Sequence, residues 1–487
     1  MKITRPQSDT STNAVATSPP PAPKGGLGTL NLLAQSLAAG PITSAALLGG
    51  VIAAKGGSAS ALYLVIVMIG VLGLGAIVAM FARRFTHDGV MYEYVGRSLG
   101  PTAGITTAGF YYLAYFFLGG PTILIGTGVI GQELCASYLR ITVPYWLIAL
   151  ALLLVVAVTN LRGLRLSVHA QLAIFVLSAI PYVLTAIVVI AKGGTSGNTA
   201  EVFNPSAPTA GAFLPTFIFC VLLFVGVETS AALGEEAHRP SIAVPRAIFF
   251  TIFIVAGFCI LTQYAGTIGF GLDHVAATWA SDPLGLATLG NTYVGHWISP
   301  LLQLGLVLDM VAVAIGFMSA ATRGMAALAR CGLLPVALAR MTRRGTPSVG
   351  ITVYVLGTVI CGAGIVVLCA TTGMDPYLGF MIGATFGGLL VVMAYLMMTV
   401  AAGKLLITGQ CASVGWIAFV VAFVTVGVAL VGSIYPMPAD ATRYGVYGAG
   451  VLLVLSLAWG CYHGIVRKHA LADAAASPGL LRNSTAV

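Results

Sequence analysis

The sequence predicts an all-α integral membrane protein with about 12 transmembrane helices. Three observations carry that prediction. Only 8% of the 487 residues are charged and 58% are hydrophobic, whereas a soluble domain carries roughly 25% charged residues; a surface this poor in charge must face lipid. Apolar stretches long enough to cross a hydrocarbon core, about 20 residues each, recur along almost the whole chain. Lys and Arg, finally, collect on alternate connections between those stretches, as the positive-inside rule requires.

In order, the stretches are Leu30–Ala54, Ala61–Phe81, Pro101–Tyr138, Val143–Thr159, Leu166–Ala191, Phe213–Gly234, Ala247–Gly271, Trp297–Ala329, Gly350–Ala370, Leu378–Ala401, Val414–Ile434 and Val446–Tyr462. The third and eighth exceed the thickness of a bilayer, so they tilt or project beyond it. An even number of crossings puts both termini on one side. With the N-terminus cytoplasmic, 19 of the 23 Lys and Arg fall inside and only Lys55, Arg140, Lys192 and Arg443 fall outside. The net charge of +9 is therefore an orientation signal, spread over many segments; a nucleic-acid partner would need it gathered on one face. Residues 1–26 and 466–487 read as disordered cytoplasmic tails, the first rich in Ser, Thr and Pro and without the apolar core of a signal peptide. The eight cysteines form no CxxC and read as free packing residues.

Three stretches carry chemistry. The first contains LAAGPITSAALLGG, Leu37 to Gly50. Pro41 cannot donate to the preceding turn and Gly40 relaxes the backbone there, so a break or a kink is expected. Inside a membrane a break survives only where protein or water satisfies the freed groups. The sixth contains FVGVETS, Phe224 to Ser230, with Gly226 as the weak point and Glu228 as an embedded carboxylate. Such a group costs about 2.5–3.5 kcal/mol at mid-helix, so it must face the bundle interior. It reads either as a functional acid or as a structural one that accepts hydrogen bonds from a neighbouring backbone or Tyr. The eighth contains Asp309, either a second embedded acid or one solvated near the outer end of its helix. Interrupted helices in the first and sixth positions, five helices apart, point to a transporter site. A broken helix exposes N–H groups at one stump and carbonyls at the other. The first suits a carboxylate and the second an ammonium, so together they suit an amino acid.

Four stretches carry a family resemblance: THDGVMYEYVGRSLGP (Thr86–Pro101), FVGVETSAALGEEAHRPSIAVPRAI (Phe224–Ile248), SAATRGMAALARCGLLPVALAR (Ser319–Arg340) and LNLLAQSLAAGPITS near the start. With these the chain resembles the amino acid–polyamine–organocation superfamily from about Leu27 to Tyr462. The resemblance implies a leucine-transporter-like fold: a 5+5 inverted repeat, here about 27–192 and 210–404, plus two C-terminal helices at about 412–465. It implies that Ala39, Gly40, Pro41, Ile42, Thr43 and Ser44 hold a substrate carboxylate. Phe224, Val225, Gly226 and Val227 hold its amino group, and Phe380 lies against its side chain. Glu235 and Glu236, with Arg323 or Arg330, form an inner-gate ion-pair network or else a solvated loop. Ser178 stands where many proton-coupled members carry a Lys, so three alternatives stay open: proton coupling through Glu228 or Asp309, sodium coordination involving Ser178, and uncoupled exchange. The expected function is secondary transport of an amino acid or related amine in the cell membrane, without a cofactor. A polyamine or amino-alcohol is the nearest alternative substrate. A channel lacks its pore motif here, and an enzyme lacks HExxH or GxSxG among the dispersed histidines.

Overall fold

The computed structural model describes residues 26–37, 40–84, 90–204, 210–409 and 415–466. The two predicted tails lie almost wholly outside the described residues. Every named element is helical. The order is α1 (Thr29–Leu37), α2 (Pro41–Gly56), α3 (Ser60–Ala82), α4 (Val90–Leu99), α5 (Pro101–Phe117), α6 (Ile123–Leu134), α7 (Tyr145–Arg162), α8 (Leu164–Lys192) and α9 (Ala210–Leu222). Then follow α10 (Pro240–Phe270), α11 (Val275–Thr278), α12 (Gly285–Tyr293), α13 (Ser299–Arg330), α14 (Ser348–Thr372), α15 (Pro376–Ile407), α16 (Gly415–Ile434) and α17 (Arg443–Val466).

Among the described residues, 11 helical stretches are long and apolar enough to cross a membrane, against the 12 expected. The difference lies at the start. Thr29–Ala82 counts as one stretch of 54 residues, about 80 Å at a helical rise of 1.5 Å, and holds the first two expected crossings. The third stretch, Pro101–Leu139, is continuous but not uniformly α-helical. Leu118–Thr122 forms a π-turn that contains Pro121, and such turns accommodate a residue that cannot donate to the ladder.

The interior is built around the interrupted helices. α1 packs on α8 and α10, α2 on α9, α10 and α13, and the segment Val227–Glu236 on α1, α10 and α13. α7, α14, α16 and α17 turn large apolar side chains outward, among them Leu154, Ile360, Val424 and Val451, as a lipid-facing layer does. The seven described cysteines are free. Burial pushes the Cys331 thiol, just past α13, up to about 11, so it stays protonated as a packing group.

On one face α11 and α12 fold over the bundle. They carry Trp279, 1% exposed, into a socket of glycines. A Cβ at Gly266 would fall 2.2 Å from the indole, at Gly285 2.4 Å and at Gly49 2.8 Å. On the opposite face the chain ahead of α1 is stitched to the loop ahead of α10. The Leu27 amide donates to the Glu236 carbonyl at 2.7 Å and the His238 amide donates to the Leu27 carbonyl at 2.9 Å.

Candidate functional site

Pro41 opens α2 as its first residue, so it causes no kink inside a continuous helix. There its missing N–H is no loss and its fixed φ suits the turn. Gly40 takes φ +70 just before it, a conformation that only glycine adopts without strain. A Cβ at Gly40 would also lie 2.2 Å from Val313 Cγ2 on α13. Ala39, the first of the expected contact residues, lies outside the described residues.

The second interruption has the same grammar. α9 ends at Leu222, Gly226 takes φ +103, and a 3₁₀ helix runs Val227–Glu236. Between them the amides of Phe224, Val225, Val227 and Thr229 reach back to the carbonyls of Val221, Leu222, Phe224 and Gly226. The carbonyls of Leu223 and Val225 have no backbone donor among the described residues. Buried carbonyls without a donor favour a cationic or hydrogen-bearing neighbour.

Each break is tied by a carboxylate, and the two ties differ. Glu228, 1% exposed, is fully partnered. Its Oε1 accepts from the Tyr115 hydroxyl at 2.5 Å, and that hydroxyl accepts from Tyr111 at 2.8 Å. Its Oε2 accepts from the Tyr395 hydroxyl at 2.7 Å and from the Gly226 amide at 3.2 Å. Glu228 thus pins the second break to α5 and α15, in the manner of the structural acid among the sequence readings. Asp309 is 0% exposed. It sits ten residues inside α13, so the reading of a solvated acid at the helix end does not hold. Its Oδ2 accepts from both the amide and the hydroxyl of Thr43, at 2.7 and 2.8 Å. Its Oδ1 has no partner among the described residues. The Thr43 amide, one of the groups expected to hold a ligand carboxylate, is thus held by the protein's own.

Between the two breaks lies a cavity of about 80 Å³. Thr43, Ser44, Leu47 and Leu48 form one wall, Leu222 and Val225 the second, and Val313 and Phe317 the third. Leu118, Thr122 and Ile123 from the π-turn region close it, with Phe380 and Ala384 of α15. A water needs roughly 10–15 Å³, so this space takes on the order of six non-hydrogen groups. Its polar side chains are three hydroxyls, and no carboxylate lines it. Of the expected contact residues, Thr43, Ser44, Val225 and Phe380 meet here. Phe224, Val227 and Glu228 instead border a smaller void with Tyr395, and Ile42 is buried outside the lining.

Ser178 on α8 is 1% exposed, with no partner for its hydroxyl among the described residues. Its backbone packs against Gly305, one helical turn before Asp309. At the far end, Glu236 Oε1 meets Arg323 Nη1 at 2.6 Å, and Arg323 also donates to the Gly345 carbonyl at 3.4 Å. Arg330 makes no ion pair among the described residues, and the Glu235 side chain lies outside them. The sequence reading missed Tyr111, Tyr115 and Tyr395. The first two stand four apart in AGFYYLAYFF, on one helical face. That spacing of two hydroxyls inside an apolar run was the available signal.

The sequence profile described as "Amino acid permease" matches residues 27–460. A manganese transporter from Eremococcus coleocola, solved with an aromatic bis-isothiourea-substituted compound, superposes with a TM-score of 0.53 at 12% identity, over 91% of this chain and 95% of that one. A mutant form of the same transporter gives 0.50 over the same shares. At this identity the likeness carries the fold, the leucine-transporter-like arrangement, and nothing of the cargo. An uncharacterized transporter of Legionella pneumophila is 24% identical over 306 residues, 58% of this chain and 63% of that protein. One of Mycobacterium bovis is 25% identical over 308 residues, 62% of this chain and 64% of that protein. The match thus spans just under two thirds of these relatives. The profile match takes in most of the chain, including both helix breaks and both buried acids: the chain belongs to the amino acid permease family, within the amino acid–polyamine–organocation superfamily, and is a multi-pass membrane protein.

Proposed function

We propose that the chain is a secondary transporter of a small amino acid or related amine, working by alternating access in the cell membrane and coupled to protons at Asp309. One observation carries this reading: Asp309 accepts from the Thr43 amide and hydroxyl at the edge of the cavity between the two breaks. A substrate carboxylate arriving at α2 competes with Asp309 for that amide. Protonating Asp309 weakens its hold, because a neutral carboxyl accepts less strongly than a carboxylate. Proton uptake and carboxylate binding then favour each other, and the coupling is reciprocal. The substrate ammonium lies toward the carbonyls of Leu223 and Val225, and the side chain toward Phe317 and Phe380. Affinity therefore rises as pH falls.

The Glu236–Arg323 pair and the Leu27 stitch close the arginine-rich face, which the charge count places in the cytoplasm together with both termini. Release inward needs both to open. Arg323 is almost fully buried and Glu236 only partly exposed, so parting them leaves a buried charge uncompensated at about 3–5 kcal/mol, and opening needs water or another anion to reach Arg323. No cofactor enters the cycle; the driving ion is the proton.

The occupied Thr43 amide also favours a second reading, in which the substrate has no carboxylate and Asp309 stays in place. The test is uptake into proteoliposomes of labelled small amino acids, the matching amines and putrescine, under a proton gradient, a sodium gradient or neither. Proton-driven accumulation of amino acids, lost in Asp309→Asn, supports the first reading. Equal transport of the decarboxylated amine selects the second. Sodium-driven accumulation sinks proton coupling at Asp309 and turns attention to Ser178.

A further inference from the structure

Away from the transport pathway, Arg83 and Arg246 border one cavity of about 690 Å³ where the end of α3 meets the start of α10. Two guanidiniums facing one space repel each other, and guanidinium stays charged at any physiological pH. Both side chains are exposed, so solvent screens the repulsion while both stay accessible to a single anion. Among the described residues, Glu93 pairs with Arg97 and Glu236 with Arg323, and no carboxylate lines this cavity. Neither Arg83 nor Arg246 has an ion pair among the described residues. Ser241 adds a hydroxyl to the same mouth.

The rest of the wall is apolar and faces outward. Ile242, Phe250 and Phe253 are 46%, 57% and 55% exposed, and Phe249 stands beside them in the lining. On α10 the positions 242, 246, 249, 250 and 253 share one face, by helical spacing. That face turns from a cationic end at the start of the helix to an aromatic flank further into the span. A free anion would use only the first half. An anionic phospholipid uses both, its phosphate between the arginines and its acyl chains along the rings. The cavity sits at the arginine-rich end, where the charge count places the inner leaflet.

We propose that Arg83, Arg246 and Ser241 form a binding site for the phosphate headgroup of an anionic phospholipid of the inner leaflet, with Phe249, Phe250 and Phe253 holding its acyl chains. The site clamps α3 to α10, and it stands whether or not Asp309 carries the coupling proton.

The test uses the purified full-length chain in detergent, with retained lipid counted by native mass spectrometry against added phosphatidylglycerol, phosphatidylcholine or inorganic phosphate. Wild type retains one phosphatidylglycerol in preference to phosphatidylcholine, and inorganic phosphate does not displace it. Each arginine near a lipid surface contributes about fivefold, so Arg83→Gln with Arg246→Gln weakens retention roughly 30-fold. Arg83→Lys with Arg246→Lys keeps most of it. A reporter with both arginines intact, Phe250→Trp, is quenched by dibrominated phosphatidylglycerol at lower mole fraction than by its phosphatidylcholine counterpart. Equal retention by the double Gln variant, equal quenching by the two brominated lipids, or displacement by inorganic phosphate overturns the proposal.

Discussion

The two helix breaks are built alike and tied differently. At the second, both oxygens of Glu228 are filled by the Tyr115 and Tyr395 hydroxyls and the Gly226 amide. At the first, one oxygen of Asp309 takes both Thr43 donors and the other takes none. A fully satisfied buried carboxylate has little to gain by changing partner or charge, since any change strands several donors. A half-satisfied one sits closer to the balance between states. On the reading proposed above, Glu228 is the fixed end of the site and Asp309 the end that switches.

The largest effect should come from cutting the fixed end. Glu228→Ala strands two tyrosine hydroxyls and an amide in the interior, each at about 1–3 kcal/mol. A total loss of about 3–9 kcal/mol is expected, seen as a large fall in melting temperature in detergent. If Glu228→Ala melts like wild type, the comparison fails at its firmer side. Next comes Gly40→Ala, which combines left-handed strain of about 1–2 kcal/mol with the Val313 contact at 2.2 Å. Melting should fall, and substrate binding should fall further than melting alone explains.

Asp309→Asn sharpens the contrast because it should barely touch stability: the Asn oxygen still accepts from both Thr43 donors. Its neutral carbonyl holds them less firmly, so amino acid affinity near neutral pH should rise about tenfold, about 1.4 kcal/mol, and lose its pH dependence. Binding measured by calorimetry between pH 5 and 8 checks this. A variant that keeps the wild-type slope sinks Asp309 as the coupling group. At the proposed gate, Glu236→Gln keeps an acceptor for the buried Arg323 but removes its counter-charge, so stability should fall by about 1–3 kcal/mol while substrate leak from loaded vesicles rises; an unchanged leak would leave the pair a purely structural contact.

Much of this site was legible from single residues. Gly40, Pro41 and Gly226 announce the breaks because backbone chemistry is local. The two embedded acids stand out because their cost in lipid is large. What could not be read is pairing. Asp309 and Thr43 are 266 positions apart and Tyr395 and Glu228 are 167 apart, and no spacing rule reaches that far. That is why the sequence left Glu228 open between functional and structural, and why it offered the Thr43 amide to a ligand. The helix count differs only in how Thr29–Ala82 is divided: its 54 residues count as one stretch by composition, although Gly40 and Gly57 interrupt it and it holds the first two expected crossings.

The stitch at Leu27 makes the gate observable from the backbone alone. The amides of Leu27 and His238 are bonded across two segments that belong to no common helix, so their protection from deuterium depends on the closed face rather than on helix fraying. On the proposed gating, their exchange rate is a clock for inward opening. It ticks without a label, a substrate or a gradient, and it distinguishes a transporter that rests shut from one that rests ajar.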